Sequence, residues 1–270
     1  MDPFVLVLLF VAGCLTGFLA GLFGVGGGII LVPILLFVFT AMLDVSGLVA
    51  THLALGTSLL VVIFASISAA YRHHKNGQVI PKAALYIGLV SSVAAYGGAT
   101  LAASLSGETL QRVFVVILTV SALRLLLETG RSGRDSEMNL SPAGLSLTGV
   151  VGGLASSLGG VGGGIFTIPM LYSFMGFPLK KAVGTSSATI VLTAFAAMVG
   201  YVVNGLGDPD LERYSRFTVG YVDFLHAIPV IVGTLPFARL GADAAQRLRT
   251  ESLRKIFSIF LLVVAARMLI

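Results

Sequence analysis

The stretch GVGGGIILVP occupies residues 24–33, and the chain repeats it with few changes as GVGGGIFTIP at residues 160–169. Consecutive glycines in an apolar sequence are typical of a phosphate-binding loop, a break in a helix or a close crossing of two helices. A phosphate loop is excluded because the G-K-[ST] ending is missing. A dinucleotide-binding fingerprint is excluded as well, because its third glycine would fall on Ile29.

Two interpretations of the glycines remain, and both suit a membrane protein. In the first, the three consecutive glycines interrupt the helix and leave the N–H groups at the start of the next helix free to attract an anion. Each glycine costs a helix interior about 1 kcal/mol, which favours this break. In the second, small residues at every third or fourth position let helices pack closely. The glycines that would form such a ridge are Gly13, Gly17, Gly21, Gly24 and Gly28.

The composition indicates a polytopic membrane protein. The chain has 270 residues, of which 56% are hydrophobic and only 11% are charged, whereas soluble domains carry roughly 25% charged residues. Basic loops on the cytoplasmic side of a membrane explain the formal net charge of +5, so the lipid bilayer is an expected partner and nucleic acid is not. The single cysteine, Cys14, excludes an intrachain disulfide.

Four sequence matches indicate an internal duplication. Besides the glycine motif, LALGTSLL at 53–60 matches KAVGTSSATI at 181–190, Asn76-Gly77 matches Asn204-Gly205, and the segment at 110–127 matches the segment at 253–270. The matches occur in the same order in both halves, as a duplicated unit requires. The spacing between matched motifs changes along the chain, which predicts an eight-residue deletion and a later fifteen-residue insertion in connecting loops.

The duplication predicts two repeats of five membrane segments each, at residues 1–127 and 141–270, joined by a cytoplasmic linker at 128–140. Because five is odd, the second repeat enters the membrane upside down, so we predict an all-α polytopic protein of inverted-topology repeats. The basic loops fall on the cytoplasmic side when both termini lie outside the cell membrane. The short segments at 29–43 and 164–176 leave open whether the first two segments of each repeat cross fully or form a re-entrant hairpin.

A doubled G-x-G-G-G-[IF] element, a short apolar run with proline and a doubled G-T-S tripeptide resemble the TauE/SafE family of sulfite exporters over nearly the whole chain. The resemblance implies a transporter for small anions such as sulfite, organosulfonates or related organic acids. Since the substrate varies widely in this family, the resemblance does not identify the anion. Nothing in the chain resembles a nucleotide-binding site, so we expect secondary transport, with export as the expected direction. An anion channel on the same scaffold is the alternative.

The substrate site is predicted at the two glycine clusters and the two G-T-S tripeptides. The broken helices offer N–H groups, and the hydroxyls offer further donors to an anionic oxygen without carrying charge. The alternative for the hydroxyls is that each bonds the carbonyl four residues earlier in its own helix. The predicted substrate-binding residues are Gly26, Gly27, Gly28, Thr57, Ser58, Gly162, Gly163, Gly164, Thr185 and Ser186.

Ionisable residues inside the apolar segments are few. Asp223 and His226 lie three positions apart at the start of the ninth segment and are candidates for coupling protons to transport. His73 and His74 lie in a basic stretch, so we expect both side chains to be solvated. The sequence holds no pattern of catalytic carboxylates, metal ligands or a Ser/His/Asp triad within the membrane segments. We therefore expect no enzyme activity, no catalytic residue, no cofactor and no metal, while the oligomeric state stays open.

Overall fold

The computed structural model describes residues 2–45, 47–102, 119, 122–123, 138–212 and 217–269. Most of the fifth apolar segment and most of the predicted linker lie outside these residues. The described chain is helical apart from short connections and one small β-ribbon. The predicted all-α architecture is therefore confirmed.

Ten α-helices are described. Two of them, α2 and α6, continue without interruption into π-helical turns at Val38–Met42 and Met170–Phe174. Strands β1 and β2 pair antiparallel, with Thr218 opposite Asp223, and lead directly into α9. The helices are α1 (Pro3–Phe23), α2 (Gly28–Phe37), α3 (Gly47–Lys75), α4 (Pro81–Ala102), α5 (Pro142–Gly159), α6 (Gly164–Pro169), α7 (Leu179–Gly205), α8 (Pro209–Glu212), α9 (Phe224–Arg247) and α10 (Thr250–Leu269), and the strands are β1 (Thr218–Val219) and β2 (Val222–Asp223).

Helix length separates the segments that can cross a membrane from those that cannot do so alone. Within the described residues, α1, α3, α4, α7 and α9 are long and apolar enough to cross. The apolar helix Gly28–Met42 would reach about 22 Å at 1.5 Å per residue. That reach is short of a hydrocarbon core roughly 30 Å thick. The chain is thus a polytopic membrane protein in which shorter helices accompany the long ones.

The long helices pack in a pattern that relates the two halves. Helices α3 and α7 lie against each other at the centre. Helix α1 packs along α9, and α5 packs along α4, so the first helix of each half pairs with the long helix that follows the central helix of the other half. The shorter helices α2 and α6 pack against α3 and α7 respectively. The two halves are therefore interlocked and bury a shared core.

Glycines form a packing ridge on α1, as the second interpretation of the glycine pattern requires. A Cβ atom added at Gly13, Gly17 or Gly21 would overlap the backbone of α9 around Val230, Thr234 or Ala238 respectively. The two helix backbones approach this closely because the glycines lack side chains. The ridge covers only the glycines before position 24, since α1 ends at Phe23.

The half helix after the first break is one turn longer than its counterpart. Helix α2 has 10 residues and α6 has 6, although both continue into π-helical turns of 5 residues. The sequence prediction placed the whole eight-residue difference in connecting loops, and this part of the prediction was wrong. Half of the difference is an extra helical turn at the end of α2.

Candidate functional site

Each glycine cluster interrupts a helix with the same backbone conformation. Gly24 closes α1 in the left-handed region with a φ of 68°, and Gly26 and Gly27 have φ values of 83° and 81°. The second cluster repeats these angles, since Gly160, Gly162 and Gly163 have φ values of 63°, 82° and 79°. Non-glycine residues rarely adopt this region. The helix break predicted from the sequence is therefore confirmed at both clusters.

The helices that follow the two breaks start without a capping side chain. Gly27 occupies the N-cap of α2 and Gly163 the N-cap of α6, and neither N-cap makes a side-chain capping hydrogen bond. The first N–H groups of a helix have no partner within the helix and carry a partial positive charge. Two uncapped N-termini of this kind are suited to binding an anion.

The two breaks touch each other inside the protein. A Cβ atom added at Gly28 would lie 2.7 Å from the Cα atom of Val161, and one added at Gly164 would lie 2.7 Å from the Cα atom of Val25. These two contacts occupy matching positions in the two halves. The start of each half helix therefore packs on the backbone of the other half's break.

The central helices supply the apolar walls beside the breaks. A Cβ atom at Gly26 would lie 2.8 Å from Cγ1 of Val62, and one at Gly162 would lie 2.7 Å from Cγ2 of Ile190. Val62 belongs to α3 and Ile190 to α7, and both side chains are buried. The predicted residues Gly26, Gly27, Gly28, Gly162, Gly163 and Gly164 are all buried as well.

Each G-T-S tripeptide contacts two pieces of distant backbone, and its glycine makes the first contact. A Cβ atom at Gly56 would overlap the carbonyl group of Tyr221, and one at Gly184 would overlap the carbonyl group of Gln78. Tyr221 and Gln78 belong to the connections that precede α9 and α4. Glycine is required here because these connections approach the central helices so closely.

The threonines of the tripeptides make the second contact. The N–H of Asp223 donates to Oγ1 of Thr57 at 2.9 Å, and the N–H of Ile80 donates to Oγ1 of Thr185 at 3.1 Å. Each donor is the residue immediately before α9 or α4. Both threonine side chains are fully buried, so each bond fixes the start of a long helix against the centre of the protein.

The serines make the third contact, which crosses between the halves. The hydroxyl of Ser58 donates to the carbonyl oxygen of Gly160 at 2.9 Å, and the hydroxyl of Ser186 donates to that of Gly24 at 2.9 Å. Each serine therefore holds the first residue of the opposite glycine break. Bonding to the carbonyl four residues earlier, the alternative for the hydroxyls, is found at the neighbouring Ser187.

These bonds refine what the four hydroxyls can offer to a ligand. In this conformation the protons of Ser58 and Ser186 are directed to protein carbonyls, and Thr57 and Thr185 already accept one bond each. The hydroxyls therefore shape the breaks from the side. Their direct contact with substrate stays a prediction.

Two further residues, which the sequence analysis missed, support the helices that end at the breaks. Nε2 of His73 donates to the carbonyl oxygen of Gly21 at 2.9 Å, and the hydroxyl of Tyr201 donates to that of Ser157 at 2.8 Å. Both carbonyls lie in the last turn before a break. His73 is 1% exposed, so the expectation of a solvated side chain was wrong for His73, whereas His74 is exposed. The sequence alone could have indicated equivalent roles for these two residues, because the register of the G-T-S match aligns His73 with Tyr201.

The structure brings the candidate coupling residues Asp223 and His226 into contact. Oδ2 of Asp223 lies 2.6 Å from Nδ1 of His226, and the two side chains are 0% and 7% exposed. Oδ1 of the same carboxyl accepts the backbone N–H of His226 at 3.1 Å, which caps α9. The ring of Phe39 meets the imidazole edge to face, with 5.9 Å between ring centroids. The pair is buried, and Thr57 joins it to α3.

Comparison with known proteins places the chain in a family. The family model described as Sulfite exporter TauE/SafE matches residues 9–268. The chain belongs to this family. It is 34% identical over 269 residues to a probable membrane transporter protein of Haemophilus influenzae, with 99% of both chains covered. It is 32% identical to a probable membrane transporter protein of Methanocaldococcus jannaschii, with 98% of this chain and 96% of the relative covered. No solved structure is significantly similar.

Membership of the TauE/SafE family establishes the class of activity. The matched relatives are described as membrane transporters, and the apolar helices suit that role. The protein is therefore a membrane transporter and not an enzyme, as the sequence predicted. The family match spans both glycine breaks and both G-T-S tripeptides.

Proposed function

We propose that this protein is a secondary transporter, working as an exporter, of small anions such as sulfite, organosulfonates or related organic acids. The observation that carries the proposal is the meeting of two uncapped half-helix starts at matching positions of the two halves. The anion binds between these starts, at the N–H groups of residues 26–28 and 162–164. The family description supports a sulfur oxyanion as the substrate.

The electrostatics favour reversible binding of an anion at this place. Each helix start carries about half a positive charge, so two starts together attract one anion. None of the lysine and arginine side chains that the structure describes is buried. Neutral N–H donors bind an anion more weakly than a full ion pair in a low-dielectric interior would. Such a site can release its substrate, which a transporter requires.

The surrounding side chains have distinct roles in the proposal. Thr57 and Ser58, with Thr185 and Ser186, hold the backbone of the breaks in position and line the site. Asp223 and His226 are the candidate coupling residues. The buried position of both breaks favours a carrier that encloses its substrate over an open anion channel.

The proposed membrane arrangement is the inverted repeat, in the cell membrane with both termini outside. The equivalent bonds of the two halves support this symmetry, because Thr57 and Thr185 bond equivalent residues, and Ser58 and Ser186 do so as well. An inverted repeat places a substrate site near the bilayer midplane, at the interface of the two repeats. The two breaks lie at that interface.

A glycine substitution tests the proposed site. In Gly27→Leu, the new side chain meets Thr16, with the added Cβ 2.6 Å from its carbonyl oxygen, at a φ of 81° that leucine rarely adopts. Gly163→Leu makes the equivalent change against Gly152. We expect both variants to lose sulfite or sulfonate transport in proteoliposomes even when the protein reaches the membrane. Gly97→Leu is the matched control, because no atom lies within 4 Å of its added Cβ.

The same assay separates the proposal from its rivals. Saturable flux of sulfite or a sulfonate, lost in the Gly27 and Gly163 variants and kept in the Gly97 variant, supports the carrier. An ohmic anion current of high unitary flux would instead show a channel. Normal transport by both break variants would show that the substrate does not bind at the glycine clusters.

A further inference from the structure

The Asp223–His226 pair is where the two matching halves differ chemically. The backbone bonds are the same in both halves, since Thr57 accepts the N–H of Asp223 and Thr185 accepts the N–H of Ile80. Only the second half carries a carboxyl group at this position, and only there does a histidine follow three residues later. One half of the transporter therefore has a buried ionisable pair where the other has an aliphatic side chain.

Helix capping does not account for the carboxyl group. Asp223 caps α9, but α4 starts at the equivalent place after Ile80, whose side chain has no acceptor. A helix can therefore begin here without an acidic cap. Burying a carboxylate costs several kcal/mol unless it is paired, and ionisable residues inside membrane segments generally serve transport or relay. The pair therefore calls for a functional explanation.

We infer that the Asp223–His226 pair binds the coupling proton, and that a proton and the anion bind together. This inference rests on the proposed function. With one proton on the imidazole, Asp223 and His226 form a pair of zero net charge. Loss of that proton leaves one buried negative charge, which opposes the binding of an anion. Histidine is the side chain whose charge commonly changes between pH 5 and 8.

Thr57 and Ser58 connect the pair to the substrate site. Thr57 bonds the backbone of Asp223 at 2.9 Å, and the next residue, Ser58, bonds the carbonyl of Gly160 at 2.9 Å. A change in the position of Asp223 on protonation is thus transmitted through two adjacent residues to the opposite glycine break. Thr57 is a positioning residue in this scheme, since it neither holds the proton nor needs to touch the anion.

Other titratable groups near the pair are engaged elsewhere. From α3, the His52 ring stacks on Tyr221 with 4.8 Å between ring centroids, and the hydroxyl of Tyr221 donates to Asp208 at 2.7 Å. From α7, the hydroxyl of Tyr201 donates to Ser157. Helix α1 contributes only the thiol of Cys14, and Asp44, beyond the π-helical turn that carries Phe39, is exposed. Asp223 and His226 contact each other directly, with 2.6 Å between Oδ2 and Nδ1.

Calorimetry of the purified full-length protein tests the inference. Methanesulfonate is the probe, because it has no group that titrates between pH 5 and 8. Titrations in two buffers of different ionisation enthalpy give the number of protons taken up with the anion. For the wild type we expect uptake of up to one proton, and a Kd that rises by up to about tenfold per pH unit as the pair deprotonates. Asp223→Asn should bind without proton uptake and with a Kd independent of pH, and His226→Gln should change the pH dependence of the wild type, because its buried carboxyl group loses its imidazole partner.

The threonine pair provides the matched control. Thr185→Val removes the bond to Ile80, where no ionisable group lies, so its Kd should keep the pH dependence of the wild type. Thr57→Val removes the equivalent bond to Asp223 and should flatten that dependence. His52→Gln should retain it. Equal pH dependence in the wild type, Asp223→Asn and His226→Gln would overturn the inference.

A second measurement decides the inference even if the anion is misidentified. If the wild type binds neither methanesulfonate nor sulfite at any pH, the proposed substrate class is wrong. Acid–base titration of the ligand-free protein then compares the wild type with Asp223→Asn between pH 8 and pH 5. We expect the wild type to take up one more proton, because the imidazole loses its carboxylate partner in the variant. Equal uptake would overturn the proton site.

Discussion

Thr57 shows how one side chain can fix an element that is distant in sequence. Its hydroxyl oxygen accepts the N–H of Asp223, 166 residues away, and the bond is buried. A buried N–H without a hydrogen-bond partner destabilises the folded state, because it has lost its hydrogen bond to water without forming another. The threonines therefore stabilise the starts of α9 and α4 whether or not they also touch the substrate.

Replacing a threonine by valine tests both roles. Thr57→Val and Thr185→Val keep the side-chain shape but leave the N–H of Asp223 or Ile80 unpaired. We expect each variant to lower the free energy of unfolding by about 1–3 kcal/mol, measured by thermal unfolding in detergent. Substrate affinity at low pH should fall by roughly tenfold to a hundredfold in both, because the break loses its support or a donor.

Serine at the same positions is the control for the valine variants. Thr57→Ser and Thr185→Ser keep the accepting oxygen and should retain most of the stability and affinity. Wild-type affinity in both valine variants would show that the substrate binds away from the G-T-S tripeptides.

At the scale of elements, the helices that end at the breaks depend on donors from their neighbours. The last carbonyl groups of a helix have no partner within it. In α1 one of these carbonyls accepts a hydrogen bond from His73, and in α5 one accepts a hydrogen bond from Tyr201. Both donors belong to the central helices. The breaks are therefore held on one side by these donors and on the other by the serines.

Tyr201→Phe removes one of these bonds with little change of shape. The carbonyl of Ser157 loses its 2.8 Å hydrogen bond from the phenol, so we expect the free energy of unfolding to fall by about 1 kcal/mol. Thermal unfolding of the purified variant measures this. Tyr172→Phe offers a comparison at a second buried tyrosine. An unchanged stability in Tyr201→Phe would mean that the carbonyl finds another donor.

The sequence was informative about elements and much less so about their contacts. The helix breaks were predictable, because three consecutive glycines are unfavourable in a helix interior and the pattern occurs twice. The partners of Thr57 and Ser58 were not, because periodicity within one segment says nothing about which distant backbone approaches it. The burial of His73 was missed for the same reason, since a basic stretch at a helix end looks solvated until α1 is placed against it.

At the scale of the whole molecule, helix ends that carry basic residues of the predicted cytoplasmic loops lie close together. Arg72 at the end of α3 forms an ion pair of 2.5 Å with Asp243 near the end of α9. Nζ of Lys180, at the start of α7, donates to the carbonyl of Gln246 at 2.6 Å. At the other end of the bundle, Asn204 contacts Thr100. Arg72 and Lys180 therefore lie at the same end of the bundle, as a cytoplasmic face would require.

Cysteine labelling tests the orientation and the inverted repeat together. In a Cys14→Ser background, Lys75→Cys and Arg247→Cys lie at exposed positions of the basic end, and Asp210→Cys lies in the connection at the opposite end. Because lysine and arginine are enriched on the cytoplasmic side, a membrane-impermeant maleimide should label positions 75 and 247 only in inverted vesicles. It should label position 210 only in intact cells, and the background protein should stay unlabelled in both. Labelling of positions 75 and 210 from the same side would rule out the arrangement in which the two repeats cross the membrane in opposite directions.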